Sequence, residues 1–398
     1  MDAIEELLTR GVDKIYPSKE ALEKVLRSGK KLRLYQGFDP TGIKLHIGHM
    51  AGLRKLRQFQ DLGHHVIFLI GDGTGQAGDP SGKTRSREKY LTVDELRQNA
   101  KDYVLQSAKI VKFEGKNPAE ILYNSEWLNK LTIPEFLNLA GHFTLQQLEE
   151  RDIFFERKKR GEPINFRETM YPLFQGYDSV AMNVDLEIGG TDQTFNMLCG
   201  RQLVKEYLGR EKYVLTIPLL TDSTGKKIGK TEDNVIALTS KPPDLYGMVM
   251  NLPDDVIIKC FEMITDLPIT EIATYKKEIA NGANPMVYKK KLAFHLTKML
   301  NSEEESKKAQ EYFETTYQHR QLSTDIPTVK LPVACLTLVD LLTKTELTKS
   351  RSEAKRLIGE KAIEIDGKVA TNPQQMITIN DGMIIRVGKH RFAKIVKN

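Results

Sequence analysis

The strongest constraint on the fold is a strand, a helix and a second strand that follow one another near the amino terminus. Residues 32–38 (LRLYQGF) predict a strand, and from Gly48 apolar residues recur at helical spacing until Gly63 ends the helix. The apolar run that begins at His65 predicts a buried strand that leads into a glycine-rich loop at 71–75. Such a unit implies a parallel sheet, and parallel sheets bind ligands at the carboxyl ends of their strands.

The rest of the chain places further apolar strands between helical stretches. Residues 184–190 and 213–220 predict buried strands, whereas most of 85–190 and all of 241–312 have helical patterns. We therefore expect an α/β fold with these parts: a Rossmann-like parallel-sheet domain over 1–240 with a helical insertion at about 120–180, a helical domain over 241–320, a linker over 321–335, and a small α+β domain over 336–398.

Composition narrows the class of protein. A chain of 398 residues, 40% of them hydrophobic, can bury two or three cores, and its net charge of +6 is compatible with a nucleic-acid partner without requiring one. Cys199, Cys260 and Cys335 show no metal-ligand spacing, which favours a reduced protein of the cytoplasm. Residues 1–17 predict an amphipathic helix without a signal-peptide stretch, and we expect no membrane span.

A motif with two histidines opens the predicted helix: His46-Ile47-Gly48-His49, preceded by Asp39-Pro40-Thr41. A helix start attracts phosphate, Gly48 lets a nucleotide approach the backbone, and the histidines can donate hydrogen bonds to phosphate oxygens. Each histidine taken alone is better explained as a surface or capping residue. Together they resemble the HIGH signature of class I aminoacyl-tRNA synthetases, which related nucleotidylyltransferases share, so this motif alone implies nucleotidyl transfer.

A second motif, Lys227-Ile228-Gly229-Lys230-Thr231, follows an apolar strand in a polar loop. Two lysines separated by glycine suit a loop that closes on a polyphosphate and neutralises the leaving pyrophosphate. In isolation a solvated basic loop explains them better. After the first motif, the segment resembles the KMSKS loop of class I synthetases, with Ile228 in place of the usual Phe or Met. The resemblance assigns catalysis to Thr41, His46, His49, Lys227 and Lys230.

The choice of amino acid depends on a predicted helix that carries Tyr171, Gln175 and Asp178 at i, i+4 and i+7. This spacing places all three on one face, where they can line a pocket or form an ordinary polar face. The surrounding stretches 34–39, 78–83 and 171–178, followed by 188–193, resemble tyrosyl-tRNA synthetases. A pocket for tyrosine must bind a phenol hydroxyl and an ammonium group.

That resemblance implies a role for each matching residue. It places Tyr35 and Asp178 at the phenol oxygen, Tyr171, Gln175 and Asp79 at the α-ammonium group, and Gln193 near the carboxylate. It assigns nucleotide binding to Gly37, Asp39, Gly48, Gly190, Asp192 and Lys230. Tyr35 as a strand aromatic and Asp192 as a helix cap stay open alternatives. Glu187 stands where family members often have Gln, and whether this acid faces the substrate is open, as is the effect of the unusual loop at 71–75.

The carboxyl-terminal module combines two predicted helices with a hairpin turned at Asp366-Gly367. Arg351, Lys355 and Arg356 lie on or near one face of the second helix. The module resembles the RNA-binding domain named after a ribosomal small-subunit protein, which bacterial tyrosyl enzymes often carry, and it implies tRNA contact; a solvated basic helix is the alternative. Lys83 and Arg87 are further predicted RNA-binding residues.

The resemblance covers nearly the whole chain and implies activation of L-tyrosine with ATP, then transfer to tRNA(Tyr), by a homodimer whose 241–320 domain lies on the anticodon side. We expect Mg²⁺ to accompany ATP without a dedicated set of protein ligands. Two rival interpretations are an RNA-binding protein that has lost catalysis, for instance one used in intron splicing, and a synthetase for tryptophan. The intact lysine loop opposes the first, and Tyr35 with Asp178 opposes the second.

Overall fold

The predicted parallel sheet is present in the structure, a computed structural model that describes residues 2–42, 44–81, 90–149, 152–228, 230–231, 234–318, 328–331, 335–388 and 391–397. Its strands are β1 (Ile15–Tyr16), β2 (Arg33–Phe38), β3 (His65–Ile70), β4 (Glu120–Tyr123), β5 (Leu186–Gly190) and β6 (Tyr213–Ile217). They are arranged in the order β1-β6-β5-β2-β3-β4, and every neighbouring pair is parallel except β1 with β6.

Two strands of this sheet differ from the sequence prediction. β4 pairs with β3 at a position where we expected the helical insertion to begin, so the insertion's helices start only at Ser125. The amino-terminal helix ends at Thr9, and Ile15–Tyr16 forms an antiparallel edge strand. Both strands are short, and pairing with a neighbour, rather than a strong local pattern, decides their conformation.

Helices cover the sheet and fill the connections between strands. They are α1 (Ala3–Thr9), α2 (Lys19–Arg27), α3 (Ile47–Asp61), α4 (Thr74–Ala77), α5 (Val93–Ser107), α6 (Ser125–Leu128), α7 (Ile133–Ala140), α8 (Leu145–Glu149), α9 (Asp152–Lys159), α10 (Phe166–Thr169), α11 (Tyr171–Ala181) and α12 (Thr194–Leu208). The predicted β2–α3–β3 unit is confirmed, since Leu53, Leu56 and Phe59 of α3 are buried and Gly63 takes a positive φ directly after the helix.

The stretch after the sheet is helical, as predicted. A short hairpin, β7 (Lys230–Thr231) with β8 (Asn234–Val235), precedes α13 (Pro242–Met250), α14 (Ile257–Ile264), α15 (Ile269–Ala280), α16 (Pro285–Leu300) and α17 (Glu303–Phe313). The buried guanidinium of Arg10 donates to the carbonyl oxygens of Phe261, Thr265 and Leu267 at 2.6–3.1 Å. These bonds attach α14 to the amino-terminal segment, and residues 1–310 form one compact unit.

Residues 311–398 form the second compact unit. Its elements are β9 (Thr328–Leu331), β10 (Cys335–Thr337), α18 (Leu338–Lys344), α19 (Arg351–Gly359), β11 (Ile363–Ile365), β12 (Lys368–Val369), β13 (Met376–Thr378), β14 (Ile384–Val387) and β15 (Arg391–Lys397). The predicted hairpin is confirmed: Asp366 and Gly367 have φ values of 47° and 79° between β11 and β12. Most of the predicted linker lies outside the described residues.

A buried histidine makes the stability of the first unit dependent on pH. The His64 ring is buried, its Nδ1 accepts a hydrogen bond from Leu32 N at 3.1 Å, and burial lowers its pKa from 6.5 to about 4. Between these values the unfolded chain binds a proton that the folded chain excludes. The free energy of unfolding should therefore fall as the pH falls from about 6.5 to 4, by on the order of 3 kcal/mol.

The replacement His64→Asn tests this expectation because an amide oxygen can still accept from Leu32 N but has no proton to gain. Trp127 is the single tryptophan and lies in the first unit, so urea unfolding followed by its fluorescence reports on that unit. The variant should lose much of the acid destabilisation between pH 6.5 and 4. An unchanged pH slope would exclude His64 as its source.

Candidate active site

A cavity of about 570 Å³ is lined by residues at which β2, β3, β5 and β6 end, the edge expected for ligand binding. Most of the predicted site residues line it: Tyr35, Gly37, Asp39, Thr41, His46, Gly48, His49, Asp79, Tyr171, Gln175, Asp178, Gly190, Asp192, Gln193 and Lys227. The structure thus brings together residues that are up to 192 positions apart in the chain. Their individual roles stay predictions.

The two histidines of the first motif cap helix α3. His46 Nδ1 accepts a hydrogen bond from Gly48 N at 3.2 Å, and His49 Nδ1 accepts one from His46 N at 3.1 Å. A neutral imidazole whose Nδ1 accepts carries its hydrogen on Nε2, which is a donor. Capping and phosphate binding are therefore compatible. A side chain at Gly48 would lie 2.9 Å from the His46 ring, so only glycine leaves the helix start open.

Lys227 and Ile228 of the lysine loop line the cavity, and the segment after β8 is attached to the first motif. Ile47 N donates to Ile236 O and Leu238 N donates to Leu45 O, both at 3.0 Å. At the other end of the loop, Lys227 Nζ donates to Asp192 Oδ2 at 3.0 Å, which holds the ammonium group at the edge of the cavity. The backbone of Lys230 belongs to β7, but its side chain lies outside the described residues.

Asp178 is a buried carboxylate, and each of its two oxygens accepts a hydrogen bond. Asn124 Nδ2 donates to Oδ2 at 3.0 Å and Trp127 Nε1 donates to Oδ1 at 2.8 Å. Burial raises the pKa of this carboxyl well above its usual value, and the two hydrogen bonds act in the opposite direction. Each oxygen keeps a further lone pair for a ligand in the cavity. Asn124 and Trp127 carry no motif, and the sequence interpretation missed both.

Tyr35 is enclosed beside the same cavity. Its hydroxyl is 2.9 Å from Ser179 Oγ, and burial, with the charges of Glu187 and Asp178, raises its pKa well above the usual value. The hydroxyl therefore keeps its hydrogen at any ordinary pH. A buried neutral hydroxyl and a buried carboxylate therefore line one cavity. A phenol hydroxyl can bind both, because its oxygen accepts from the Tyr35 hydroxyl while its hydrogen is donated to Asp178.

Two of the predicted ammonium-binding residues, Tyr171 and Asp79, are each hydrogen-bonded to another residue that lines the cavity. Tyr171 OH donates to Asp39 Oδ2 at 3.0 Å, and burial raises the pKa of this hydroxyl, with Asp39 and Asp79 adding to the effect. Gln193 Nε2 donates to Asp79 Oδ2 at 2.8 Å. Carboxylates and amide oxygens that line a cavity together can bind an ammonium group. As predicted, Tyr171, Gln175 and Asp178 share helix α11 and all line the cavity.

Glu187, whose role the sequence left open, lines the cavity and is almost fully buried. Its partner is Lys212, a buried lysine whose ammonium group bonds Glu187 Oε2. Burial lowers the pKa of Lys212, and the charge of Glu187 acts in the opposite direction. Sequence reasoning missed Lys212, although an acid in an apolar strand indicates that a buried cation lies near it.

The predicted RNA-binding residues are only partly described. Lys83 and Arg87 lie outside the described residues. Arg351, Lys355 and Arg356 are exposed on α19, where Arg351 pairs with Asp340 and Arg356 pairs with Glu360. Exposed ion pairs of this kind contribute little to stability, so both guanidinium groups can exchange their partners for phosphate.

Among the described residues, no group of three or more His, Cys, Asp or Glu side chains is placed to hold a metal ion. In the same part of the chain, every helix is too short or too polar to cross a membrane.

Comparisons with known proteins agree with this site. Residues 27–318 match the family model described as tRNA synthetases class I (W and Y), and residues 318–395 match the tyrosine–tRNA ligase SYY-like C-terminal domain. The tyrosine–tRNA ligase of Dehalococcoides mccartyi is 41% identical over 99% of this chain and 98% of its own length. That of Thermotoga maritima is 39% identical over 98% of this chain and 96% of its own length.

A solved structure is similar in fold. A C-terminally truncated mitochondrial tyrosyl-tRNA synthetase of Aspergillus nidulans superposes with a TM-score of 0.66 at 25% identity, over 81% of this chain and 94% of that one. Since a class I model matches most of the sequence and relatives match it from end to end, the chain belongs to the tyrosyl-tRNA synthetases, a family of class I aminoacyl-tRNA synthetases.

Proposed function

We propose that this chain activates L-tyrosine with ATP and transfers it to tRNA(Tyr). In the first step an oxygen of the tyrosine carboxylate attacks the α-phosphorus of ATP, and pyrophosphate leaves with the electron pair of the broken P–O bond. In the second step a hydroxyl of the terminal adenosine attacks the activated carbonyl carbon, and AMP leaves. Both steps depend mainly on positioning and on stabilising charge, since the enzyme forms no covalent bond.

The observation that carries the proposal is that the Tyr35 hydroxyl and the Asp178 carboxylate line the same cavity as residues of the two motifs. Tyr35 and Asp178 would bind the phenol hydroxyl, while Tyr171, Gln175 and Asp79 would bind the ammonium group. An indole offers an N–H donor but no oxygen at this position, so it would leave the buried Tyr35 hydroxyl without an acceptor. This favours tyrosine over tryptophan.

The same cavity provides groups for the nucleotide. His46 and His49 would donate Nε2–H groups to the phosphates, with Thr41 beside them, and Lys227 would neutralise the leaving pyrophosphate. Asp192, Gly48 and Gly190 would contact the adenosine. Mg²⁺ would enter as the counter-ion of ATP, held by phosphate oxygens and water, as this ion commonly is.

An ATP–pyrophosphate exchange assay with each of the twenty amino acids tests the proposal. Exchange should depend on tyrosine and should be at least 100-fold weaker with phenylalanine and tryptophan. Exchange driven by tryptophan would support the rival synthetase. No exchange with any amino acid, together with tRNA binding, would support an RNA-binding protein that has lost catalysis.

We also propose that two copies of the chain associate through the helical insertion. Among the described residues of the insertion, five large apolar side chains are more than half exposed: Ile133, Leu137, Leu145, Phe155 and Phe166. Ile133 and Leu137 lie one turn apart on α7, so they share a face. An apolar face of this kind is typical of a surface that a second copy covers.

Replacing Leu137 with aspartate should convert the proposed homodimer to a monomer, because a charge would be buried without a partner in the contact. Sedimentation velocity at micromolar concentration measures the change. Leu105→Asp is the matched control, since Leu105 is equally exposed but lies on α5, outside the insertion, and should leave the dimer intact. A dimeric Leu137→Asp variant would show that the contact lies elsewhere.

A further inference from the structure

The buried Lys212 ammonium group has more contacts than a simple ion pair. Besides Glu187 Oε2, it donates to Ser179 Oγ at 2.7 Å and to Met197 O at 3.3 Å. Three acceptors match the three hydrogens of an ammonium group, whereas a neutral amine has only two hydrogens to offer. The surroundings of Lys212 therefore fit the charged form, in which the nitrogen can only donate.

This donation determines what Ser179 can do with its own hydrogen. Ser179 Oγ accepts from Lys212, and its hydrogen can go either to Tyr35 OH at 2.9 Å or to Glu187 Oε2 at 3.4 Å. The distance to Tyr35 is within the usual range for O–H···O bonds and the distance to Glu187 is not. Ser179 then donates to the Tyr35 oxygen, and the Tyr35 hydrogen is left to point to another acceptor.

The fold makes room for this arrangement and connects it to the rest of the cavity. A methyl group at Gly200 would lie 2.5 Å from Lys212 Nζ and 2.9 Å from Ser179 Oγ, so the adjacent helix needs glycine there. On its other side, Glu187 Oε1 accepts a hydrogen bond from Gln175 Nε2 at 2.9 Å. The buried Glu187 carboxylate thus connects two parts of the cavity. It is linked to Tyr35 through Lys212 and Ser179, and it is bonded directly to Gln175, which is proposed to bind the ammonium group.

We propose that Lys212 and Ser179 are positioning residues for amino-acid specificity, which orient the Tyr35 hydroxyl so that it donates to the phenol oxygen of the substrate. The order of donation is Lys212 to Ser179, Ser179 to Tyr35, and Tyr35 to the phenol oxygen, whose own hydrogen goes to Asp178. Phenylalanine would leave the Tyr35 donor without an acceptor and would offer no hydrogen to Asp178. This inference rests on the proposed tyrosine activation.

The test compares kcat/KM for tyrosine and for phenylalanine in ATP–pyrophosphate exchange. Ser179→Ala removes the middle hydroxyl and keeps the Lys212–Glu187 pair, so the chain should fold. It should lower the tyrosine-to-phenylalanine ratio about tenfold, the usual effect of losing one oriented hydrogen bond, with an unchanged KM for ATP. Ser107→Ala is the matched control, because Ser107 is also a buried helical serine but bonds carbonyl groups of its own helix, and it should leave the ratio unchanged.

A double-mutant cycle separates positioning from general loosening of the fold. In a Tyr35→Phe background the hydroxyl that Ser179 orients is gone, so adding Ser179→Ala should change the ratio less than twofold. If Trp127 fluorescence shows that the Lys212→Met variant folds, this variant should lower the tyrosine-to-phenylalanine ratio as Ser179→Ala does. If the Lys212→Met variant does not fold, the result for Ser179→Ala alone decides the question. The inference would be overturned if Tyr35→Phe lowered the tyrosine-to-phenylalanine ratio while Ser179→Ala left that ratio unchanged. A parent protein without tyrosine-dependent exchange would instead overturn the proposed function.

Discussion

Asp178→Asn is expected to lower kcat/KM for tyrosine activation by at least about 100-fold. A hydrogen bond to a charged group contributes about 1.5–3 kcal/mol. An amide in place of the carboxylate would in addition place its own N–H group against an N–H group that now donates to Asp178. Asn124 Nδ2 and Trp127 Nε1 already donate to the two oxygens, so either orientation of the amide sets N–H against N–H. The substrate hydroxyl also loses the acceptor that the proposal assigns to it.

Steady-state pyrophosphate exchange at varied tyrosine and ATP concentrations measures this effect. The KM for ATP should change little, because Asp178 is assigned to the amino acid and not to the nucleotide. Glu168→Gln is the matched control: Glu168 is also a buried carboxylate, paired with Arg157 at 2.7 Å, but it does not line the cavity. If both variants lost tyrosine activation equally, the loss would come from a weakened fold and the phenol assignment would be wrong.

The parts of the fold that the sequence predicted are those with strong local patterns. The β2–α3–β3 unit combines a strand of five consecutive apolar residues, 66–70, with a helix of clear periodicity, and the hairpin at Asp366-Gly367 needs residues that tolerate positive φ. β4 has no such pattern. Its four residues are all half-buried, and it becomes a strand because β3 offers a free edge.

The residues of the candidate site also differ in how far the sequence alone could predict their positions. Tyr171, Gln175 and Asp178 could be placed together because helical spacing alone puts them on one face. Glu187 indicates a buried cation, but the sequence could not identify it as Lys212, since lysine is rarely buried and its partners come from α11, β5 and α12. The capping role of His46, by contrast, was one of the interpretations that the sequence offered for this histidine, and the structure shows it.

Lys227→Met is expected to lower kcat for tyrosine activation by about 100-fold, the usual effect of removing one group that stabilises transition-state charge. The proposal assigns its ammonium group to the pyrophosphate as negative charge develops on the leaving oxygen. In the structure Nζ lies 3.0 Å from Asp192 Oδ2, and both residues line the cavity. The methionine side chain has nearly the same volume and no charge.

The kinetic signature separates this role from simple binding of ATP. If Lys227 acts mainly in the transition state, kcat and kcat/KM should fall together while the KM values for tyrosine and ATP change less than about threefold. Lys226→Met is the matched control, because Lys226 is the exposed neighbour in the same loop, does not line the cavity, and uses its backbone N–H to bond Asp222. Lys226→Met should therefore keep parental activity.

Two outcomes would contradict this assignment. A rise in the KM for ATP with unchanged kcat would mean that Lys227 binds the ground state and the transition state equally, which lowers affinity without slowing the chemical step. Equal losses in Lys226→Met and Lys227→Met would mean that the general positive charge of the loop matters and not one placed ammonium group. The positive charge of the loop would then act on ATP through long-range electrostatic attraction. Salt at 0.5 M should abolish this effect, because the screening length falls to about 4 Å.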